Sequence, residues 1–213
     1  VALPAPVFAE TRSFDFRNFK KIHLSAGYEV IFTQSNQTSV TIESDNFSRI
    51  TATQTGDTIK IGRPENTNIR GRVHDVVGIS APDLDRAELN AGVKFSVDGL
   101  QVDNLDLDIN AGVEADFRRV NARSIRLDAN AGVEVKLDGG CETLSVDASA
   151  GVDVDASDLR CKSGDVGGGR YGAVEGRLRS EGSREPTQQS RRTPWWMMAE
   201  RRALAPRSSA VGG

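Results

Sequence analysis

Through the centre of the chain, apolar and polar residues alternate at a fixed distance from a recurring Ala-Gly-Val motif. Four copies, each preceded by Asn or Ser, begin at intervals of 20, 20 and 19 residues: Asn90–Val93, Asn110–Val113, Asn130–Val133 and Ser149–Val152. A more distant copy, Ser25–Tyr28, opens a similar run near the N-terminus. After the copy at 90, apolar Val93, Phe95 and Val97 alternate with polar residues. Alternation with a period of two residues indicates a half-buried β-strand.

Each unit of about 20 residues holds up to three such strands. A second alternating run, such as Leu105–Ile109, comes directly before each motif copy. A short third run, such as Leu100–Val102, lies between the run that follows one motif copy and the second run that precedes the next. A unit this small cannot bury its own apolar face, so neighbouring units must stack. We therefore predict an all-β fold, a right-handed parallel β-helix (β-solenoid) with about 20 residues per coil over residues 89–162. The alternative is an antiparallel sandwich of 10-residue hairpins, which does not require one motif at one fixed phase.

The motif residues have architectural roles in this prediction. The valines form an interior aliphatic ladder, and the glycines occupy a corner where the chain turns sharply or needs positive φ. The asparagines stack at that corner and hydrogen-bond along it, with Ser149 ending the series. The structural residues so predicted are Gly92, Gly112, Gly132, Gly151, Asn90, Asn110 and Asn130.

The two ends of the chain differ from its centre. Residues 10–88 contain less regular strand patterns, predicting an irregular N-terminal β section that caps the stack. Residues 1–9 are apolar and uncharged, with small residues, Val7 and Ala9, at the positions a signal peptidase requires. We expect the remnant of a signal peptide, hence an exported protein of the periplasm or cell surface, or a secreted one. An apolar first strand or cap is the alternative.

From residue 163 onward the strand pattern stops and Gly, Arg and Ser predominate. Residues 1–162 hold 18 Lys and Arg against 25 Asp and Glu, a net charge of −7, whereas residues 163–213 hold 9 against 5, a net charge of +4. Such a composition is typical of disorder. Two explanations stay open: the segment is translated out of frame, or it is a genuine basic tail whose Trp195–Met198 cluster anchors it to a partner.

Composition excludes several classes of function. The overall net charge of −3 does not indicate a nucleic-acid partner, and no apolar run reaches the roughly 18–20 residues of a membrane span. No cofactor-binding motif is present, and His23 and His74 lack the spacing of zinc ligands.

Cys141 and Cys161 fall in the short third run of adjacent units, so stacking brings them within disulfide distance. Both a disulfide and two buried thiols would fit this placement.

Acidic residues at outward positions are the remaining candidates for chemistry. They are Asp103, Asp106, Asp108, Asp116, Asp128, Asp138, Asp147, Asp153, Asp155 and Asp158. Stacking also places Glu114, Glu134 and Asp153 in one column, but Lys94 opens that column and argues against a row of bound cations. We interpret these acids as solvated faces and predict no catalytic, cofactor-binding or metal-binding residue.

Several pieces together resemble the head GIN domain of putative autotransporter adhesins over roughly residues 14–162. They are Phe19–Ile22, Ser25–Phe32, Val40–Ile42, Thr58–Ile61 and the repeated motif. The resemblance implies a bacterial, exported, β-helical domain without catalytic residues. Family members usually continue their coils to the C-terminus; this sequence departs there, so an exposed solenoid end could self-associate.

Three functions are therefore open. The first is a non-catalytic binding or adhesion-type module of the cell envelope, with a glycan or another cell-surface component as partner. The second is a carbohydrate-active β-helix enzyme of the polysaccharide lyase or hydrolase type. The third is a self-associating envelope scaffold.

Overall fold

The computed structural model describes residues 9–64, 75–149, 151–168 and 173–176. These residues form fifteen β-strands and one short 3-10 helix, Phe47–Arg49, and they contain no α-helix. The prediction of an all-β protein is therefore confirmed, and no helix in this part of the chain could span a membrane. The strands are β1 (Glu10–Phe14), β2 (Lys21–Ser25), β3 (Glu29–Gln34), β4 (Ser39–Ser44), β5 (Thr51–Thr55), β6 (Thr58–Gly62), β7 (Val76–Ala81), β8 (Arg86–Asn90), β9 (Lys94–Asp98), β10 (Gln101–Asn110), β11 (Glu114–Asn130), β12 (Glu134–Ala148), β13 (Asp153–Ala156), β14 (Leu159–Gly168) and β15 (Ala173–Gly176).

In the repeat region, strands pair in parallel at the interval of the motif. Leu105 of β10 lies opposite Ile125 of β11, which lies opposite Leu144 of β12. The strands that follow the motif pair in the same way, in the order β9, β11, β12, β13 and β15. The described strands of residues 89–162 form no antiparallel pair, so the hairpin sandwich is wrong for this region.

The alternating apolar side chains all point into one continuous core. After the motif, for example, Val30, Phe95, Ala115, Val135 and Val154 occupy successive strands in register and are at most 2% exposed. Burying one side chain the size of Val, Leu or Phe stabilises the fold by about 1.5–3 kcal/mol. Stacking therefore supplies the burial that a single 20-residue unit lacks.

The N-terminal section does not stack in sequence order. Strands β2 and β3 lie between β6 and β7 on one side and β8 and β9 on the other, all in parallel. Beyond β6 and β7, three strands run antiparallel: β5 pairs with β6, β4 with β7, and β1 with β4. The sheet as a whole is consequently mixed, and the parallel order predicted for the repeat does not extend through residues 10–88.

These outer strands bring apolar side chains over the adjoining end of the core. Phe14, Phe16, Phe47, Ile50 and Ala52 are partly buried and pack against the core cluster. All five belong to the antiparallel strands or to the segments beside them. This arrangement shields apolar surface and strand edges that an unfinished stack would expose to water.

A buried polar cluster lies in the same section. Arg63 donates to Asp75 at 2.9 Å, and both side chains are almost fully buried, with exposed fractions of 6% and 0%. Ser44 donates to the second oxygen of Asp75 at 2.5 Å. Arg63 also lies over the ring of Tyr28, whose hydroxyl donates to the carbonyl of Gly62 at 2.7 Å. Burial raises the pKa of Tyr28 to about 12. The cluster thus joins the motif corner to β4, β6 and β7.

The strands continue past the C-terminal boundary expected at residue 162. β14 pairs with β12 through Gly168, and β15, Ala173–Gly176, pairs with β13. Parallel pairing uses backbone N–H and C=O groups, which glycine also carries, so loss of the apolar pattern does not by itself end a strand. The predictions for residues 1–8, for His74 and for the tail beyond residue 176 lie outside the described residues.

Candidate binding surface

The motif corner is formed by two consecutive residues with positive φ. Gly92, Gly112, Gly132 and Gly151 have φ of 78°, 74°, 73° and 75°. The alanines that precede the glycines were not anticipated to share this conformation, yet Ala91, Ala111 and Ala131 have φ of 56–60°. A left-handed conformation is uncommon for alanine, so the pairing of neighbouring corners must hold it.

Hydrogen bonds along this corner join backbone groups. The N–H of Gly92 donates to Ala111 and the N–H of Gly112 to Ala131, at 3.0 and 3.1 Å. Asn90, Asn110 and Asn130 are in register, as the predicted stacking requires. The side-chain amide of Asn110, however, donates to Asp108 of its own strand at 2.6 Å. The corner is therefore a structural element, and its groups are occupied by bonds within the protein.

The two cysteines lie on adjacent strands. Cys141 of β12 is in register with Cys161 of β14, their Cα atoms are 4.4 Å apart, and the structure joins them in a disulfide. Their exposed fractions are 8% and 2%. The bond links two successive units on the face made by the short third runs.

A column of acidic residues follows the strands that precede the motif. Glu88, Asp108, Asp128 and Asp147 are in register on β8, β10, β11 and β12. This column was not among those expected from the sequence, although its spacing of 20, 20 and 19 residues equals the motif spacing and is visible in the sequence. Arg86 pairs with Asp108 at 3.5 Å and Arg126 with Asp128 at 3.8 Å, while Nδ1 of His23 lies 3.0 Å from a carboxylate oxygen of Glu88. The half-buried His23 therefore has the Glu88 carboxylate as a neighbour.

The predicted column after the motif is present but largely paired. Glu114, Glu134 and Asp153 are in register, as expected. Lys94 contacts Glu114 at 2.7 Å, an interaction that raises the pKa of the Lys94 ammonium, and Lys136 contacts Glu134 at 3.4 Å. Within the described ranges, no group of three or more His, Cys, Asp or Glu residues is arranged to hold a metal ion.

Other predicted acids also have cationic or hydroxyl partners. Arg86 binds Asp106 at 2.7 Å, Arg118 binds Asp116 at 2.5 Å, and Ser157 donates to Asp155. The bonds from Ser157 lower the pKa of the Asp155 carboxyl. Asp138 is half-buried and Asp158 is exposed. These carboxylates are distributed along three faces, and their pairing neutralises much of the charge.

The face made by the third runs carries two adjacent open grooves, of about 500 and 440 Å³. Asn121, Ala122 and Glu142 line both grooves. Signs of charge alternate along one side of this face, where Asp103 pairs with Arg123 and Glu142 with Lys162, each at 3.1 Å. Asp103 was among the outward acids expected from the sequence, whereas Arg123, Glu142 and Lys162 were not anticipated, because the short runs were assessed mainly for their apolar positions.

The described residues thus form an all-β protein with a mixed sheet, in which the strands of residues 89–168 pair in parallel at the motif interval and one face carries open grooves. A family model described as "Putative auto-transporter adhesin, head GIN domain" matches residues 18–170. The chain belongs to this family, which confirms the resemblance that its sequence pieces indicated.

Solved structures share the fold at low sequence identity. A putative adhesin from Bacteroides fragilis superimposes with a TM-score of 0.71 at 19% identity, covering 80% of this chain and 78% of that one. A putative lipid binding protein from Parabacteroides distasonis gives 0.62 at 12% identity, covering 81% and 97%. A putative adhesin from the same species gives 0.53 at 14%, covering 80% and 93%. No curated protein matches the sequence significantly. These likenesses show the fold alone.

Proposed function

We propose that this chain is an exported, non-catalytic binding module of the bacterial cell envelope, of the adhesion type. Its partner is a glycan or another cell-surface component, and its repeat region is a right-handed parallel β-solenoid. The family match over residues 18–170 carries the proposal. The apolar stretch of residues 1–9 supports export.

The surface of the described residues is suited to binding an extended ligand. Outward side chains stand in register about 4.8 Å apart on a sheet whose core is tightly buried, so their positions are fixed before a ligand arrives. Preorganised polar groups reduce the entropy lost on binding. A polymer with repeating units can therefore contact several strands at once.

Binding to intact cells tests this proposal directly. The fluorescently labelled chain is incubated with bacterial and host cells and, in parallel, with an array of glycans. We expect saturable binding that an excess of unlabelled chain displaces. Absence of saturable binding to every cell and glycan would contradict the adhesion function, and recovery of the native protein only from the cytoplasmic fraction would contradict export.

The enzymatic alternative has its own measurement. Incubation with the same polysaccharides should release no reducing ends and no unsaturated uronate absorbing in the ultraviolet. Either product, lost on substitution of acidic residues such as Asp103, would replace binding with catalysis as the function. The paired, dispersed carboxylates favour binding, since glycoside hydrolysis requires two carboxyl groups flanking one bond.

Self-association is a second candidate, favoured by one strand. β5, Thr51–Thr55, is at the end of the described strand order and contains no charged residue. The strand at the opposite end, β1, carries the ion pair of Arg12 with Glu10. Charges on edge strands oppose edge-to-edge pairing, so β5 is the less protected of these two edges.

Light scattering over a range of concentrations tests this candidate. We expect a reversible dimer that Thr53→Lys weakens, since the added charge lies on the edge. Thr11→Lys on β1 is the matched control. A wild-type chain that stays monomeric at high concentration would exclude self-association through β5.

A further inference from the structure

Two adjacent glycines of β12, Gly139 and Gly140, meet very different surroundings. Gly139 has φ of 130°, and a Cβ there would lie 2.0 Å from the carbonyl oxygen of Val120, so only glycine fits. Gly140 does not have a positive φ, and a Cβ there would meet only the carbonyl oxygen of Arg160, at an ordinary 3.5 Å. The backbone therefore explains Gly139 and leaves Gly140 unexplained.

The missing side chain at Gly140 opens the groove of about 440 Å³. Asn121, Gly140 and Arg160 are in register on three successive strands and form one outward column. Strands are spaced about 4.8 Å apart, so the backbones carrying Asn121 and Arg160 are separated by roughly 10 Å. A gap of this width accommodates one sugar ring. Glycine inside a strand often marks a bulge, a tight bend, or a position where a ligand or another backbone approaches closely.

The disulfide makes the floor of this groove rigid. Cys141 and Cys161 both line it, and their bond joins β12, which carries Gly140, to β14, which carries Arg160. Glu142 and Lys162 line the groove beyond the disulfide and contact each other at 3.1 Å. A rigid floor holds the polar groups of both strands at a fixed separation.

The groove is locally cationic on an acidic domain. Its lining contains Arg160, Lys162 and one carboxylate, Glu142, whereas residues 1–162 carry a net charge of −7. Among the basic side chains that the structure describes, only Arg160 and Lys60 lack an ion-pair partner in the protein. Arg160 is thus available to an anionic group, and a guanidinium binds a carboxylate through two parallel hydrogen bonds.

We propose that the Gly140 groove binds a carboxylate-bearing sugar, that is, a uronic acid unit of a surface polysaccharide. Arg160 binds the sugar carboxylate, while the Asn121 amide and the Glu142 carboxylate take the ring hydroxyls. Gly140 leaves the space for the ring. The assignment of the ligand to a surface glycan rests on the proposed function, whereas the preference for a carboxylate rests on the groove itself.

Calorimetric titration of the full chain at physiological salt tests the site, because salt suppresses diffuse attraction between exposed charges. The probes are an oligogalacturonate, a neutral galactose oligomer of equal length, and acetate. We expect the oligogalacturonate to bind at least tenfold more tightly than either of the others. Equal binding of the neutral oligomer would overturn the role of the carboxylate, and equal binding of acetate would overturn the role of the sugar.

Matched variants locate the binding. Arg160→Gln should weaken binding of the oligogalacturonate at least tenfold, and Arg160→Lys less, since an ammonium cannot bind a carboxylate in the two-bond geometry. Gly140→Thr should abolish binding by filling the groove while leaving the melting temperature unchanged or higher, because threonine favours strands. Arg126→Gln, an exposed arginine of another face, is the control. Equal loss with Arg126→Gln, or retained binding in Gly140→Thr, would overturn the site.

The proposed adhesion function and the proposed sugar-binding groove can be contradicted independently of each other. Saturable binding to cells that Arg160→Gln does not change would leave the adhesion function standing and remove the groove from it. Groove-dependent binding of oligogalacturonate without binding to any cell would retain the site and contradict the adhesion function.

Discussion

The repeat region and the N-terminal section have the same alternating core but obtain their order in different ways. In the repeat, each strand pairs with the strand about 20 residues away, so stacking follows the sequence. In the N-terminal section, β2 and β3 are enclosed by strands that come later in the chain, and antiparallel strands finish the sheet. The difference shows that a sequence repeat determines which strands pair with each other, whereas strand pairing at the N-terminal end depends on contacts between individual residues.

The largest expected effect comes from breaking the N-terminal polar cluster. Asp75→Asn removes the charge that Arg63 contacts in a fully buried site and should lower the free energy of unfolding by about 3–5 kcal/mol. Urea unfolding followed by circular dichroism measures the change. Asp103→Asn, which breaks the exposed pair with Arg123, is the control and should cost about 0–1 kcal/mol. Similar losses in both variants would show that burial of the cluster does not stabilise this end.

In the repeat region, the comparable test concerns backbone fit. Gly139→Ala should lower the free energy of unfolding by roughly 3–4 kcal/mol, because strain at positive φ adds to the clash with Val120. Gly140→Ala, one residue away, should change it by less than about 0.5 kcal/mol. The same urea titration measures both. A comparable loss in the two variants would contradict the distinction between the glycines.

Reduction of the disulfide should also affect the repeat region. The Cys141–Cys161 bond closes a loop of 20 residues, so reducing it should lower the free energy of unfolding by about 3 kcal/mol. Unfolding with and without a reductant measures this loss. Mass spectrometry of the alkylated native protein must show both thiols blocked from alkylation. Two free thiols in exported protein would contradict the bond.

A smaller, pH-dependent effect on stability is expected from Tyr28 in the N-terminal section. The pKa of Tyr28 is raised to about 12 in the folded state, above its ordinary value near 10, because burial disfavours the phenolate. The buried, protonated Tyr28 side chain makes its full contribution to the free energy of unfolding below pH 10. This contribution is lost as the pH rises through 12, and the loss amounts to about 2–3 kcal/mol. Tyr28→Phe should lack this loss, and phenolate absorbance measures the titration. A Tyr28 that titrates near pH 10 would contradict its burial.

Much of the repeat region could be predicted from its residues. Period-two alternation assigned Phe95 and Val97 to the core, and the motif interval placed Cys141 beside Cys161. The candidate site was harder to predict. Asn121, Gly140 and Arg160 carry no motif, and they become one column only when the bulge between Phe117 and Val120 sets the register of the third runs. Local irregularity of this kind leaves no signal in hydrophobic periodicity.

By itself, the sequence determined the all-β class, the inward residues of each unit and the neighbours of each strand in the repeat. The physical reason is that side chains alternate along a strand and parallel strands pair residue by residue, so one interval defines every contact. Only the tertiary structure decided the stacking order of the first strands, the burial of Arg63 against Asp75 and the groove at Gly140. These features depend on residues far apart in the chain that no repeat relates, and their energies arise only when packing removes water from them.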